Sequence, residues 1–379
     1  MIFDYETLRI IWWVFLGFLL IGFAVMGGFD LGVAILLPFL GKGDEQRRVI
    51  INSIGATWEG NQVWFVMAGG AMFAAWPMAY AVSFSSFYFA LLLTLFALFL
   101  RPLGFDYRSK LSSQKWRRSW DKALFIGGFV PALVFGIAFG NLLKGIPFHL
   151  ENDMRIVYFG DFWGLLNGFS LLVGLVSLSM FIMHGAVYLQ MKTVDEINIK
   201  AKRMVLIFSC STLVLFAIAG YWITFIDGYH IVSEIDPNGA SNPLAKFVKK
   251  EPGLWLDNYG HLPGLVGVPA MAFISGLIML VLSWFNRPGS AFVFSSFVVI
   301  SIILTAGVSM FPFLIPSSIS ANSSLTVWDA SSSQATLNLM FWVTIIFLPL
   351  IVIYTSWVFR VLRGKMTVEH IRKNNHTAY

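Results

Sequence analysis

Charge is what this chain has least of. Only 12% of its 379 residues are Asp, Glu, Lys or Arg, where soluble domains carry roughly 25%. So few charges cannot coat a water-facing surface of this size, which excludes an ordinary soluble enzyme. Cysteine is nearly absent: Cys210 stands alone in an apolar run, so no internal disulfide and no cysteine metal cluster can form. No phosphate-cradling Walker loop, no dinucleotide-binding glycine fingerprint and no nucleophile elbow occurs. The net charge of +6 and pI of 9.3 call for no nucleic-acid partner, because loops lying beside anionic lipid account for them.

What fills the space is apolar and aromatic. The chain has 57% hydrophobic residues, 37 Phe and 14 Trp, and its mean hydropathy is +0.74. This is the composition of a polytopic membrane protein. A span needs about 20 largely apolar residues, and runs of that kind lie near 8–41, 50–76, 80–101, 124–143, 164–190, 205–226, 262–285, 291–311 and 336–359. Nine membrane helices are therefore expected, with a bend in the long first one at Gly27-Gly28. That first run lacks a basic leader and exceeds a signal-peptide core, so it reads as a retained helix.

Lysine and arginine sort by loop. Lys42, Arg47 and Arg48 follow the first span, a block from Arg101 to Lys122 follows the third, Lys192 to Arg203 follow the fifth, Arg287 follows the seventh, and Arg360 to Lys373 form the tail. With nine spans all five groups fall on one side, which the positive-inside rule makes cytoplasmic. The N-terminus is then outside and the C-terminus inside. Loop 227–261 holds Lys246, Lys249 and Lys250 but offsets them with acids. No linker divides the chain, so residues 1–379 read as a single membrane domain.

Carboxylates inside spans are costly, by roughly 2.5–3.5 kcal/mol on insertion scales, and are kept where they face a partner, a cavity or a proton route. Glu59 in the second span and Asp30 in the first are the two such groups. Each is a candidate proton carrier, and each could equally fix helix packing against a base, with Arg101 and Arg108 as the candidate partners. Trp58 and Trp64 flank Glu59 six positions apart, about 240° around a helix, and so cannot share a face. Arg101, Asp106 and Arg108 close the third span as an interfacial ion-pair cluster. Of the six histidines, His149, His230 and His261 fall in loops and His370 and His376 in the tail. His184 alone is near a helix interior. It is the single weak candidate for axial ligation, and a packing role is the plainer reading.

Taken in order, the blocks Asp4-Tyr5-Glu6-Thr7-Leu8-Arg9, Gly28-Phe29-Asp30-Leu31-Gly32, Trp58-Glu59-Gly60-Asn61-Gln62-Val63-Trp64, Phe73-Ala74-Ala75-Trp76-Pro77, Arg101-Pro102 with Gly104-Phe105-Asp106-Tyr107-Arg108, Phe139-Gly140-Asn141-Leu142-Leu143 and Trp328-Asp329 resemble subunit II of the cytochrome bd quinol oxidases. The resemblance runs almost end to end. It implies an all-α fold of two four-helix bundles plus one extra helix in the bacterial inner membrane. It also implies a haem-free companion to a subunit I that holds two b haems, haem d and the quinol site. The complex would oxidise quinol and reduce dioxygen to water; in some members a small single-helix subunit joins, or a ubiquinone lies buried in subunit II as a structural lipid. By position, Glu59 matches the acidic residue of the W-D/E-G-N-Q-V-W block, which implies a proton pathway shared with Asp30. Trp64 matches a tryptophan beside the route by which oxygen enters. Gly27 and Thr57 depart from the pattern, standing where many members have Asp and His. The competing class is an ion-coupled membrane transporter, since buried acids in broken helices serve transporters too.

Overall fold

The computed structural model describes residues 3–373 and 379; His376 lies outside them. Helix α1 (Tyr5–Leu40) is started by Asp4, whose carboxylate accepts the Thr7 N–H at 2.9 Å, as an N-cap should. It runs through Gly27-Gly28 as one unbroken helix. The two glycines instead make room for the rings of Phe23 and Phe181.

Residues 44–75 depart from the continuous second helix expected over 50–76. They form α2 (Asp44–Gly55), a single turn α3 (Trp58–Asn61) and α4 (Val63–Ala75). Ser53 and Thr57 bond back to the carbonyls of Ile50 and Ile54, and Asn52 bonds to that of Arg48. Such side-chain bonds compete with the helical ladder. The third span is likewise divided at Phe87 into α5 (Pro77–Ser86) and α6 (Tyr88–Tyr107).

Then come α7 (Gln114–Lys144), α8 (Gly168–Lys192), α9 (Asp195–Trp222), the short α10 (Asp257–His261), α11 (Gly267–Trp284), α12 (Pro288–Met310), α13 (Gln334–Val361) and α14 (Val368–Lys373). Among the described residues, eight helices are long and apolar enough to cross a membrane. One group packs α6 on α7 and both α7 and α4 on α1; the other packs α8 with α9 and α12, and α11 with α9 and α12. Helix α13 leans on α1 and leaves most of its surface bare.

The two groups meet where α8 packs on both α7 and α1, which it crosses at Gly32. A side chain at Gly185 would lie 2.6 Å from the Gly32 carbonyl carbon, so the backbones touch, as small-residue crossings in membranes allow. His184, one residue away, bonds to the Val25 carbonyl at 2.9 Å and to Ser295 at 2.8 Å. It thus ties α8 to α1 and α12.

One end of the molecule is tied by charge. Arg108 donates to Asp121 at 2.6 Å and to Asp44 at 3.0 Å, Arg47 to Asp121 at 2.7 Å, and Arg117 to Asp44 at 2.7 Å. Lys200 reaches the Leu40 carbonyl and Lys192 that of Leu362, so the basic segments share one face. The opposite face is built from three two-stranded hairpins, β1 (Phe148–Leu150) with β2 (Ile156–Tyr158), β3 (Asp227–Ile231) with β4 (Val248–Pro252), and β5 (Phe313–Ile315) with β6 (Leu325–Thr326). Arg9, fully buried, stitches α1 to it through the carbonyls of Pro237 and Gly239 and the hydroxyls of Ser241 and Ser331. The lysines of 227–261 are indeed neutralised: Lys246 pairs with Asp329 at 2.9 Å, Lys249 with Glu251 and Lys250 with Asp227. Burial pulls the Lys246 ammonium below its ordinary range, and Asp329 opposes that pull.

Gly185→Leu is expected to destabilise the purified protein by at least about 1–3 kcal/mol through overpacking. Gly220→Leu, at a position with open space around it, should leave the melting temperature in detergent within about a degree or two of the parent, because nothing has to move.

Candidate functional site

The break between α2 and α4 is where polar chemistry enters the membrane region. Asp30, ten residues before the end of α1, lies about 15 Å in from the basic face at 1.5 Å per residue. It is fully buried. Its Oδ2 accepts from the Asn61 side chain at 2.7 Å, while Oδ1 meets no protein donor. Arg101 of α6 supplies the positive charge facing it. Arg101 is 1% exposed, and its three guanidinium nitrogens find no protein acceptor within bonding distance. Its guanidinium carbon stands 5.5 Å from the centre of the Trp58 ring, which stacks on Phe105 at 5.0 Å. Orphaned buried donors of this kind are normally met by ordered water. The site is therefore a buried acid and a buried base that face each other without a direct hydrogen bond or ion pair, with an amide anchor on the acid, set against a helix interruption.

Other candidates lie elsewhere. Glu59 is next to this cluster in sequence yet points outward: it is exposed, as is Gly60. It sits midway along 44–75 on a face that is otherwise apolar. Trp64 is buried within the chain, its ring filling the space over Gly22 and meeting Phe18 edge-on. Trp58 and Trp64 do face apart. The expected cluster at the end of the third span is only partly formed. Arg101 turns inward to Asp30, and Arg108 takes Asp121 and Asp44 rather than Asp106. Asp106 is exposed and makes no ion pair among the described residues, because it projects from the solvent side of α6 while Arg108 faces α7. His184 has both ring nitrogens engaged, and no group of three metal-ligating side chains exists among the described residues.

Asp121 and Asp44 were the residues missed. A signal was present: Asp121 is the one acid in the basic stretch 115–122, and a lone acid among like charges is a natural ion-pair centre. Its partners Arg47 and Arg108 come from distant segments, so spacing could not name them.

A multi-pass helical membrane protein with a buried charge pair at a broken helix, and without a metal cluster among its described residues, is the class defined by this fold and site. Within that class, residues 8–362 match the family described as cytochrome bd terminal oxidase subunit II. The chain is 51% identical over 377 residues to the cytochrome bd-I ubiquinol oxidase subunit 2 of Escherichia coli, covering 99% of this chain and 100% of the relative. It is 50% identical over 376 residues to the probable cytochrome oxidase subunit 2 of Haemophilus influenzae, covering 99% and 100%. It is 27% identical over 365 residues to the cytochrome bd ubiquinol oxidase subunit 2 of Bacillus subtilis, covering 95% and 97%. A chain of the bd oxidase structure from Geobacillus thermodenitrificans has the same fold, with a TM-score of 0.71 at 16% identity over 94% of this chain and 98% of that one. This chain belongs to the cytochrome bd terminal oxidase subunit II family. It is a subunit of a haem-based terminal oxidase and a multi-pass protein of the bacterial inner membrane, and the transporter reading is set aside.

Arg101→Leu would leave Asp30 buried without the positive charge that faces it, and is expected to cost about 3–5 kcal/mol. The double variant Asp30→Asn/Arg101→Leu should recover much of that loss, as a double-mutant cycle on thermal unfolding would show. At the basic face, the Arg372 hydrogen bond holds the exposed Glu45 carboxyl below its ordinary 4.5. A depressed acid contributes above its unfolded value and loses that contribution as pH falls through the folded one. Protease cleavage between α13 and α14 should therefore rise only below about pH 4.5.

Proposed function

We propose that this chain is the haem-free companion of a larger, haem-bearing subunit I in a quinol:oxygen oxidoreductase, and that it carries protons to the subunit boundary through Glu59. The observation that carries the reading is an exposed carboxylate at a helix break on an apolar membrane face. A group so costly in lipid is kept there because a protein partner covers it. Gly60, Gly69 and Gly70 of the same face have open space where a side chain would project, which suits close backbone approach by another helix. The bare faces of α6 and α13 extend the same surface.

In this reading the segment 44–75 is the ninth crossing. Asp44 is held in the ion-pair cluster of the basic face, and the Ala75 carbonyl accepts from Ser332 on the other. The basic face is cytoplasmic by the positive-inside rule, which puts the N-terminus outside and the C-terminus inside. Two b haems and haem d belong to the partner, where they supply electron transfer and dioxygen reduction. His184, with both nitrogens bonded, does not fit axial ligation. A quinone ring beside Asp30 fits poorly as well: the unmatched Arg101 nitrogens lie between tightly packed Gly127 and the Trp58 ring and suit water better.

Each residue then has a task. Glu59 accepts a proton at its carboxylate oxygens from the cytoplasmic side and releases it across the boundary. Asp30, through Asn61, holds the broken segment so that Glu59 faces the partner, and Arg101 balances the Asp30 charge. Trp64 sets the position of the exposed Val63 and Val66, along which lipid-dissolved oxygen reaches the partner.

Glu59→Gln should slow quinol-driven oxygen consumption by roughly 10²-fold or more, the usual scale for losing a proton-transfer group, while haem content per complex stays at the parent level. Unchanged turnover with haem intact would remove the proton role. Gly70→Trp projects from a position with open space where a Cβ would stand. It should abolish co-purification of the haem-bearing subunit while leaving this chain folded by circular dichroism.

A further inference from the structure

A second feature of the basic face is unconnected with Glu59. Between the ends of α9 and α11 a groove of about 450 Å³ opens toward lipid, walled by Val205, Leu206, Leu280 and Val281. It closes deeper in the membrane, where a side chain at Gly276 would lie 2.9 Å from Leu213. The eight-residue step from Gly276 to Trp284 sets its length at about 12 Å. Cations line its mouth. Lys202 donates to the Trp284 carbonyl at 2.8 Å and to Asn286 Oδ1 at 3.1 Å, which uses two of its three ammonium hydrogens. Arg203 is exposed and its side chain has no hydrogen-bond or ion-pair partner among the described residues, and neither has the side chain of Arg287 at the α11–α12 link, outside the groove. A polar bay of about 400 Å³ adjoins the groove at Ile199 and adds Lys365; Asp195 is the one acid lining either space.

We infer that this notch binds one anionic diacyl phospholipid from the leaflet bathing the basic face. Its phosphate would sit on Arg203 and the free Lys202 hydrogen, and an acyl chain would lie in the groove. The pairing of an apolar slot with unneutralised cations at its mouth selects this occupant. A neutral quinone or lipid would use the slot but leave Arg203 unmatched, whereas a basic pocket between membrane helices on this side suits an acidic headgroup. Trp284, 68% exposed, marks the interfacial depth at which that headgroup lies.

The test is native mass spectrometry of the intact oxidase complex released from nanodiscs containing phosphatidylglycerol and phosphatidylcholine. The parent should retain phosphatidylglycerol in preference to phosphatidylcholine. Lys202→Gln/Arg203→Gln should lower that retention roughly 25-fold, at about a factor of five for each cation near the surface. Arg203→Gln alone, which breaks no contact within the protein, should lower it about fivefold. Lys110→Gln/Lys115→Gln, removing two exposed charges from the same face, should leave it unchanged. Equal retention in Arg203→Gln and the parent, equal loss in the Lys110/Lys115 control, or equal retention of phosphatidylcholine would each overturn the assignment.

Discussion

The backbone contact between α1 and α8 at Gly32 and Gly185 fixes where everything else can go. In a bilayer no hydrophobic force draws helix to helix, because lipid tails are as apolar as leucine; close packing and interhelical hydrogen bonds must do it. Two glycines permit the approach, and His184 then bonds α8 to α1 and α12. With one side of α1 committed to α8, the rest of its surface receives α7 and the broken segment 44–75. The glycine contact thereby sets which way Asp30 faces.

That orientation explains how a carboxylate and a guanidinium are kept inside the membrane region. Each alone would be expensive to bury, and the pair is tolerated because Arg101 arrives from α6, Asn61 from α3 and the Trp58 ring from the same turn. Asn61 reaches Asp30 only because α2 ends at Gly55 and the chain restarts at Trp58. The interruption that anchors Asn61 inward also turns Glu59 outward, so an enclosed charge pair and an exposed acid come from one local device. They differ in environment: the first is enclosed with a positive charge facing it, the second stands exposed on the outer surface of the chain.

The two faces of the molecule are held by different means. On the basic face, charge repulsion among many Lys and Arg is relieved by the few acids Asp44, Asp121, Glu45 and Glu196, each bridging segments distant in sequence. On the other, short hairpins, Arg9 and the buried Lys246–Asp329 pair form a lid of ordered loops. Cations beyond the reach of those acids, Arg203 and Arg287 among them, remain for ligands that bring their own negative charge.

Much of this was legible in the chain. Hydropathy adds residue by residue along a segment, so the membrane class, the long helices and the division of basic from neutralised loops could be read directly. The cost of a buried charge likewise singled out Asp30 and Glu59, and named Arg101 among the candidate partners. Tertiary structure alone decided the rest. It decided that 50–76 is broken, since Ser53 and Thr57 could as well have pointed away from the backbone. It decided that Arg108 meets Asp121 across the α6–α7 turn instead of its neighbour Asp106, that Trp64 is interior, and that Glu59 and Asp30, both acids in apolar runs, end on opposite sides of one polypeptide wall. Composition measures what a residue costs to bury, whereas the helix crossing determines which residue is buried and against what.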